Sequence, residues 1–147
     1  MKKTPLYNSH LTLGGKIIDF GGWALPVQYK GILKEHESVR ERAGIFDVSH
    51  MGEILIEGKG AGKYIQRIIT NDISTMTPGR IVYSPMCYED GGTIDDLLIY
   101  MLDEDRYLLV VNASNTQKDY EWLKENCDID NLSKKDISEE YGLIAIQ

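Results

Sequence analysis

The sequence has only two cysteines, Cys87 and Cys127, and no apolar run approaching the ~20 residues that a membrane-spanning helix requires. Two cysteines without metal-ligand spacing exclude a disulfide scaffold or a cysteine zinc site and point to a reduced, cytoplasmic protein. Basic charge is scarce as well: 16 Lys and Arg stand against 23 Asp and Glu, a net charge of −7. That balance argues against nucleic acid or an anionic membrane surface as partner, since both reward clustered Lys and Arg. The opening Met1-Lys-Lys-Thr-Pro5 is basic but precedes no apolar stretch, so no secretory signal is expected. His10, His36 and His50 share no ligand spacing, and no metal is expected. Gly14-Gly15 and Gly21-Gly22 lack the spacing of phosphate-cradling loops. There is neither an internal repeat nor a low-complexity tract.

What is present is ordinary globular composition, in a length of 147 residues that suits a single domain. The pattern predicts a short helix over 5–12, strands at 16–20 and 23–29 broken by Gly21-Gly22, and an amphipathic helix over 31–43. In that helix Ile32, His36, Val39 and Ala43 form the apolar stripe, and Gly44 is the expected C-terminal cap. A strand follows at 53–57. A helix over 60–70 then has Ala61, Tyr64, Ile65, Ile68 and Ile69 on one stripe. Strands at 80–89 and 92–102 meet at Asp90-Gly91, a favoured hairpin turn, and Tyr107 to Asn112 reads as a central strand. A helix over 115–126 presents Tyr120 and Leu123 with Trp122 near its rim; a polar loop and a buried strand over 141–147 close the chain. The fold class expected is α+β, an antiparallel sheet with helices covering one side. Because an apolar strand needs ladder partners, the final strand suggests a fragment of something longer.

The chemistry-bearing feature is Gly91-Gly-Thr-Ile-Asp95-Asp96-Leu-Leu-Ile-Tyr100. Neighbouring strand residues point to opposite faces, so Asp95 and Asp96 are not expected to act as a pair. Asp96 shares a face with Ile94, Leu98 and Tyr100; Asp95 shares one with Thr93, Leu97 and Ile99. A carboxylate on such a face has either a hydrogen-bonded structural role or a functional one. A two-residue turn at Asp90-Gly91 sets Asp96 opposite Pro85, with Tyr83 and Cys87 on the same face. That would suit a flat aromatic ligand with a polar edge. Asp47, Ser49 and His50 superficially evoke a hydrolase, but there is no nucleophile elbow, and they read as a satisfied turn. Both cysteines read as core or edge thiols. The sequons at Asn112 and Asn131 carry no weight without an export signal.

Seven stretches in fixed order resemble the T-protein of the glycine cleavage system, the tetrahydrofolate-dependent aminomethyltransferase. They are Lys3-Thr-Pro-Leu-Tyr7, Asp19-Phe-Gly-Gly-Trp-Ala-Leu-Pro26, Ala43-Gly-Ile-Phe-Asp-Val-Ser-His-Met-Gly52, Thr70-Asn-Asp72, Tyr83-Ser-Pro-Met-Cys87, Gly91-Gly-Thr-Ile-Asp-Asp-Leu97 and Leu109-Val-Val-Asn-Ala113. The resemblance implies transfer of the methylene of an aminomethyl group, carried on lipoylated H-protein, to tetrahydrofolate with release of ammonia. Asp96 matches the family's catalytic aspartate, acting as base or electrostatic guide. Met51, Tyr83, Leu98, Tyr100, Val110 and Asn112 match its folate pocket, although Leu98 and Val110 would be core residues on pattern alone. His50 would shape the entrance.

The implied architecture is a ferredoxin-like unit over 52–139, an incomplete first folate-binding domain over 1–51, and a return strand to that domain over 140–147. Members are more than twice this long, so the isolated chain is expected to be inactive. The rival readings are the folate-binding domain of an iron–sulfur assembly factor or a methylglycine oxidase, and a plain interaction domain. A start at Met1 without G-x-G-x-x-G disfavours the oxidase, and an interaction domain leaves Asp96 unexplained.

Overall fold

Strand and helix signals translate into two compact units, one of residues 1–50 and 139–147 and the other of residues 51–138. The computed structural model describes all 147 residues.

The first unit contains α1 (Tyr7–Thr12), β1 (Ile17–Phe20), β2 (Trp23–Pro26), α2 (Ile32–Glu41) and β3 (Ile45–Asp47). The pair Gly21-Gly22 does more than interrupt a strand. Both residues have positive φ (+58° and +89°), which a two-residue type I′ turn requires, and β1 folds back on β2 with Phe20 opposite Trp23. Before α2, Glu35 turns back and its Oε1 accepts the backbone N–H groups of Tyr29, Lys30 and Gly31. Those bonds hold its carboxyl below the ordinary range and fix the entry to the helix.

Two expectations fail here. The Ile32–Ala43 stripe buries nothing: Ile32 and Ala43 are exposed and Val39 is only half-buried. The helix also ends at Glu41, and Gly44 is no left-handed cap; it exchanges two backbone hydrogen bonds with Gln147. That exchange continues the antiparallel pairing of β3 with β9 (Ile144–Ile146), in which Ile45 faces Ile146. The expected buried strand is therefore a ribbon with Ile144 and Ile146 exposed.

The second unit is β4 (Gly52–Glu57), α3 (Ala61–Ile68), β5 (Ile81–Cys87), β6 (Thr93–Asp103), β7 (Arg106–Val111), α4 (Thr116–Glu125) and β8 (Ser133–Asp136). All neighbouring strands are antiparallel, in the order β5-β6-β7-β4-β8. The run β8-β4-β7-β6 is the ferredoxin-like arrangement, with β5 as an added edge strand. Strand β8 escapes a hydrophobicity reading because Ser133-Lys-Lys-Asp136 is polar throughout, as suits an edge protected against further pairing.

Helices α3 and α4 cover one face of this sheet. The stripe Ala61, Tyr64, Ile65, Ile68 and Ile69 packs there on Ile54, Leu97, Ile99, Leu109 and Val111. The Tyr64 hydroxyl donates to the Leu123 carbonyl at 2.7 Å, tying α3 to α4. Gly52 is dictated by close approach: a Cβ there would lie 2.3 Å from Thr116 Oγ1 and 2.8 Å from Val111 Cγ2. A bulge between Met86 and Cys87 shifts the hairpin register, so Cys87 faces Thr93. It turns Ile94 into the core beside Leu97, correcting the face expected for Ile94.

Candidate functional site

Register alone collects the sequence-selected residues on the sheet face opposite the helices. Pro85 pairs with Asp96, Tyr83 with Leu98, and Leu98 with Val110. Val110 pairs with Glu53, and the ladder ends at Gly52↔Val111, with Met51 just before it and Asn112 just after it in the chain. One row therefore crosses the sheet through Glu53, Val110, Leu98 and Tyr83, and beside it Asp96, paired with Pro85, takes the Asn112 side-chain amide. Tyr100 lies in the next row, with Leu108. Tyr83 and Asp96 are exposed, Met51, Leu98, Tyr100 and Asn112 half-buried, and Val110 buried.

Asp96 is held on both carboxylate oxygens. The Tyr83 hydroxyl donates to Oδ2 at 2.8 Å and the Asn112 side-chain amide to Oδ1 at 3.0 Å. The hydrogen bond to Asp96 raises the Tyr83 phenol above its ordinary value. Asn112 stands just past the end of β7, so its amide also reaches Asp95 Oδ1, at 2.8 Å. Asp95 and Asp96 do point to opposite faces, yet Asn112 connects them around the strand end. Its amide hydrogens are thereby committed within the protein, leaving the carbonyl oxygen to meet a ligand.

Behind this face Asp95 also accepts the Asn112 backbone N–H at 3.0 Å and the Asn115 amide at 2.8 Å. Burial would raise its carboxyl, but hydrogen bonds from Asp119, Asn112 and Asn115 outweigh that and hold it low. Asp119 on α4 is fully buried. Desolvation first, then the hydrogen bond and charge of Asp95, push it up to about 8. Glu53 is 1% exposed, has no partner on either carboxylate oxygen, and is pushed up to about 7 by burial and the charge of Asp136. Periodicity hid both. Asp119 reads as a polar position on a half-charged helix, and Glu53 as the polar end of a strand.

In the first unit, Asp47 Oδ2 accepts the Thr4 hydroxyl at 2.6 Å and meets His10 Nε2 at 2.7 Å; His10 Nδ1 lies 2.7 Å from the Tyr29 hydroxyl. Asp47 Oδ1 accepts the Ser49 backbone N–H, and the Ser49 hydroxyl bonds the Leu143 backbone. Asp47 and Ser49 are thus spent on satisfied turns, as the reading against a hydrolase expects. His50 packs edge-on against Phe20 and Trp23, and burial pulls its imidazole below the usual value. It lines a cavity of about 440 Å³ with Phe20, Tyr29 and Phe46.

Residues 6–147 match the family described as the GCVT N-terminal domain. The chain belongs to that family. It is 58% identical over 146 residues to an aminomethyltransferase of Natranaerobius thermophilus, covering 99% of this chain and 40% of the relative. It is 54% identical over 151 residues to an aminomethyltransferase of Bacillus subtilis, covering 100% of this chain and 40% of the relative. The crystal structure of glycine cleavage system aminomethyltransferase T from Bartonella henselae superimposes with a TM-score of 0.91 at 36% identity, over 99% of this chain and 40% of that one. The chain thus spans about 40% of the length of the curated relatives it matches. For this GCVT-family chain the structural likeness covers both units, and the α+β reading stands.

Proposed function

We propose that this chain is the N-terminal portion of an aminomethyltransferase of the glycine cleavage system. In that reading the methylene of an aminomethyl group on lipoylated H-protein passes to tetrahydrofolate and ammonia is released. The observation that carries it is the Asp96 carboxylate, held by Tyr83 and Asn112 in the middle of a face formed by the family-matched residues. Tetrahydrofolate, when bound, supplies the nitrogen that accepts the one-carbon unit.

The donor set fits such a ligand. An exposed carboxylate and a free amide carbonyl oxygen can accept from pterin N–H groups, while Tyr83, Tyr100, Leu98 and Met51 offer surface for flat rings. Asp96 orients the ligand, accepts a proton from its nitrogen and stabilises positive charge developing on the transferred group. Tyr83 and Asn112 keep both carboxylate oxygens aimed, so no reorganisation is needed as charge develops. We place the facing wall of the pocket in the part of the relatives that this chain does not span, which makes turnover by the 147 residues alone negligible.

The test is ammonia release from aminomethylated H-protein with tetrahydrofolate, by the full-length protein carrying this segment. Asp96→Asn is expected to lower kcat about 10²-fold or more, the scale for loss of a positioned acid–base group. Full activity of that variant, or no activity of the parent, would sink the proposal. Tight folate binding by the isolated chain in calorimetry would overturn the assignment of the missing wall.

A further inference from the structure

Asp119 is an unexpected group to find at the centre of a helix–sheet interface. Its side chain is 0% exposed, and neither carboxylate oxygen has a hydrogen-bond donor from the protein. The nearest cation, Lys118 Nζ, stands 3.5 Å from Oδ1 and donates instead to the Ile94 carbonyl. Asp95 is the remaining neighbour, the one side chain besides Lys118 whose hydrogen bond and charge act on Asp119, and as a carboxylate it can only accept. Two ionised carboxylates in contact inside a protein would repel, with nothing to neutralise either. One proton between them removes the conflict. Asp95 already accepts three N–H groups from Asn112 and Asn115, so it is the ionised partner and Asp119 keeps the proton.

Resting on the reading of Asp96 as the catalytic carboxylate, we propose that Asp119 is its positioning residue. It donates a hydrogen bond to Asp95, Asp95 orients the Asn112 amide, and that amide holds Asp96 Oδ1 on the opposite face of the sheet. The route is short because Asn112 lies at the strand end, where one side chain reaches both faces. It assigns each amide hydrogen of Asn112 one aspartate, 2.8 Å to Asp95 and 3.0 Å to Asp96. Without the Asp119 proton, Asp95 is pushed off and the Asn112 amide is free to turn.

The charged groups acting on Asp119 are Asp95 from β6 and Lys118 from α4 itself. Strand β4 turns Ile54 and Ile56 toward the helices, and β7 turns Leu109 and Val111. On β8, Lys134 sits over the Tyr64 ring and Asp136 accepts from Ser138. Only Asp95 and Lys118 therefore bias the proton, and the device fails when alkali removes it, near pH 8.

Two measurements test this. In the 147-residue chain, the Asn112 side-chain amide and the Asp96 carboxyl carbon are followed by NMR across pH 6–10. Both are expected to shift with one alkaline midpoint near 8, and Asp119→Asn, which donates without ionising, should abolish the shift. Flat wild-type signals, or the same midpoint in Asp119→Asn, overturn the proposal whatever the enzyme does. In the full-length protein, Asp119→Asn is expected to keep kcat within about threefold at pH 7 and to lose the alkaline fall in kcat. Asp119→Leu should lower kcat about tenfold or more at every pH, with KM nearly unchanged. An alkaline limb that survives in an active Asp119→Asn enzyme refutes the role, as does an Asp119→Leu enzyme with normal kcat. A parent enzyme without activity refutes the aminomethyltransferase reading instead, and the NMR titration still decides this one.

Discussion

The two units are held together by different means. The unit of residues 51–138 buries a continuous apolar cluster from Ile54 to Leu123 between one sheet face and two helices. The unit of residues 1–50 and 139–147 buries little besides Ala24 and Leu25 among its apolar side chains, and beside them Thr4, His10 and Ser49. Its interior is a hydrogen-bond network around Asp47. Apolar burial is non-directional and scales with area, so the first kind of unit tolerates imperfect geometry. A network is only as good as its last partner, because each orphaned buried group incurs its full desolvation cost.

The largest effect that tests this contrast is a cavity in the apolar unit. Leu109→Ala, at a site 0% exposed, is expected to cost about 2–5 kcal/mol in urea unfolding followed by Trp122 fluorescence. Next is the network: Asp47→Ala strands Thr4 and His10 and should cost about 2–3 kcal/mol, read from Trp23. Equal indifference of the first unit to this change would break the comparison. Gly52→Ala overpacks against Thr116 and Val111 and is expected to cost about 1–3 kcal/mol in the apolar unit.

Proton linkage should separate the units by sign. Asp47 is held low by bonds from Ser49, Thr4 and His10 that outweigh its burial, so its contribution is full above about 3.8 and is lost as acid carries it through its folded value. His50 is lowered by burial, so below 6.5 the unfolded chain takes a proton that the folded unit refuses, and stability again falls with acid. Asp119 has the opposite sign. The unfolded chain releases its proton near 3.8 and the folded unit only near 8, so stability falls as pH rises between those values. Glu53 adds the same trend between 4.5 and about 7, while the lowered Asp95 acts only at the acid end. Trp122→Phe leaves Trp23 to report the first unit, and Trp23→Phe leaves Trp122 to report the second. From pH 5 to 6.5 the first should gain stability and the second, where Asp119 and Glu53 act together, lose about 2 kcal/mol per pH unit. Parallel slopes would contradict the contrast. The smallest expected effect is that of Tyr83→Phe, on an exposed strand edge, which should leave stability within about 0.5 kcal/mol while loosening Asp96.

Much of the apolar unit is legible from periodicity. The stripe from Ala61 to Ile69 and the central strand at 107–112 follow from spacing. The expected Pro85–Asp96 pairing holds only because a turn one residue longer than expected, with the Tyr88 N–H bonded to the Gly92 carbonyl, is offset by the bulge at Met86/Cys87. What spacing misreads has physical causes. The α2 stripe is apolar but uncovered, the edge strand β8 is polar because edges are, and the bulge at Met86/Cys87 returns Ile94 to the core. Of the candidate site, Asp96 and its aromatic neighbour Tyr83 are visible as residues out of character or in register. Asp119 and Glu53 are not, since a carboxyl on a charged helix or at a strand end looks solvated until something is packed over it.

The amino-acid order therefore determined most of the elements, short β3 and polar β8 excepted, as well as which strand face carries Asp96 and the family to which the chain belongs. Those properties rest on local periodicity, turn chemistry and motif order, which need no knowledge of distant neighbours. Only the tertiary structure decided which carboxyls keep their protons and how Asp95, on the helix-covered face, is joined to Asp96 on the other. Burial and hydrogen-bond partnership depend on chains that meet in space, and Asn112 meets both aspartates only because β7 ends where it does.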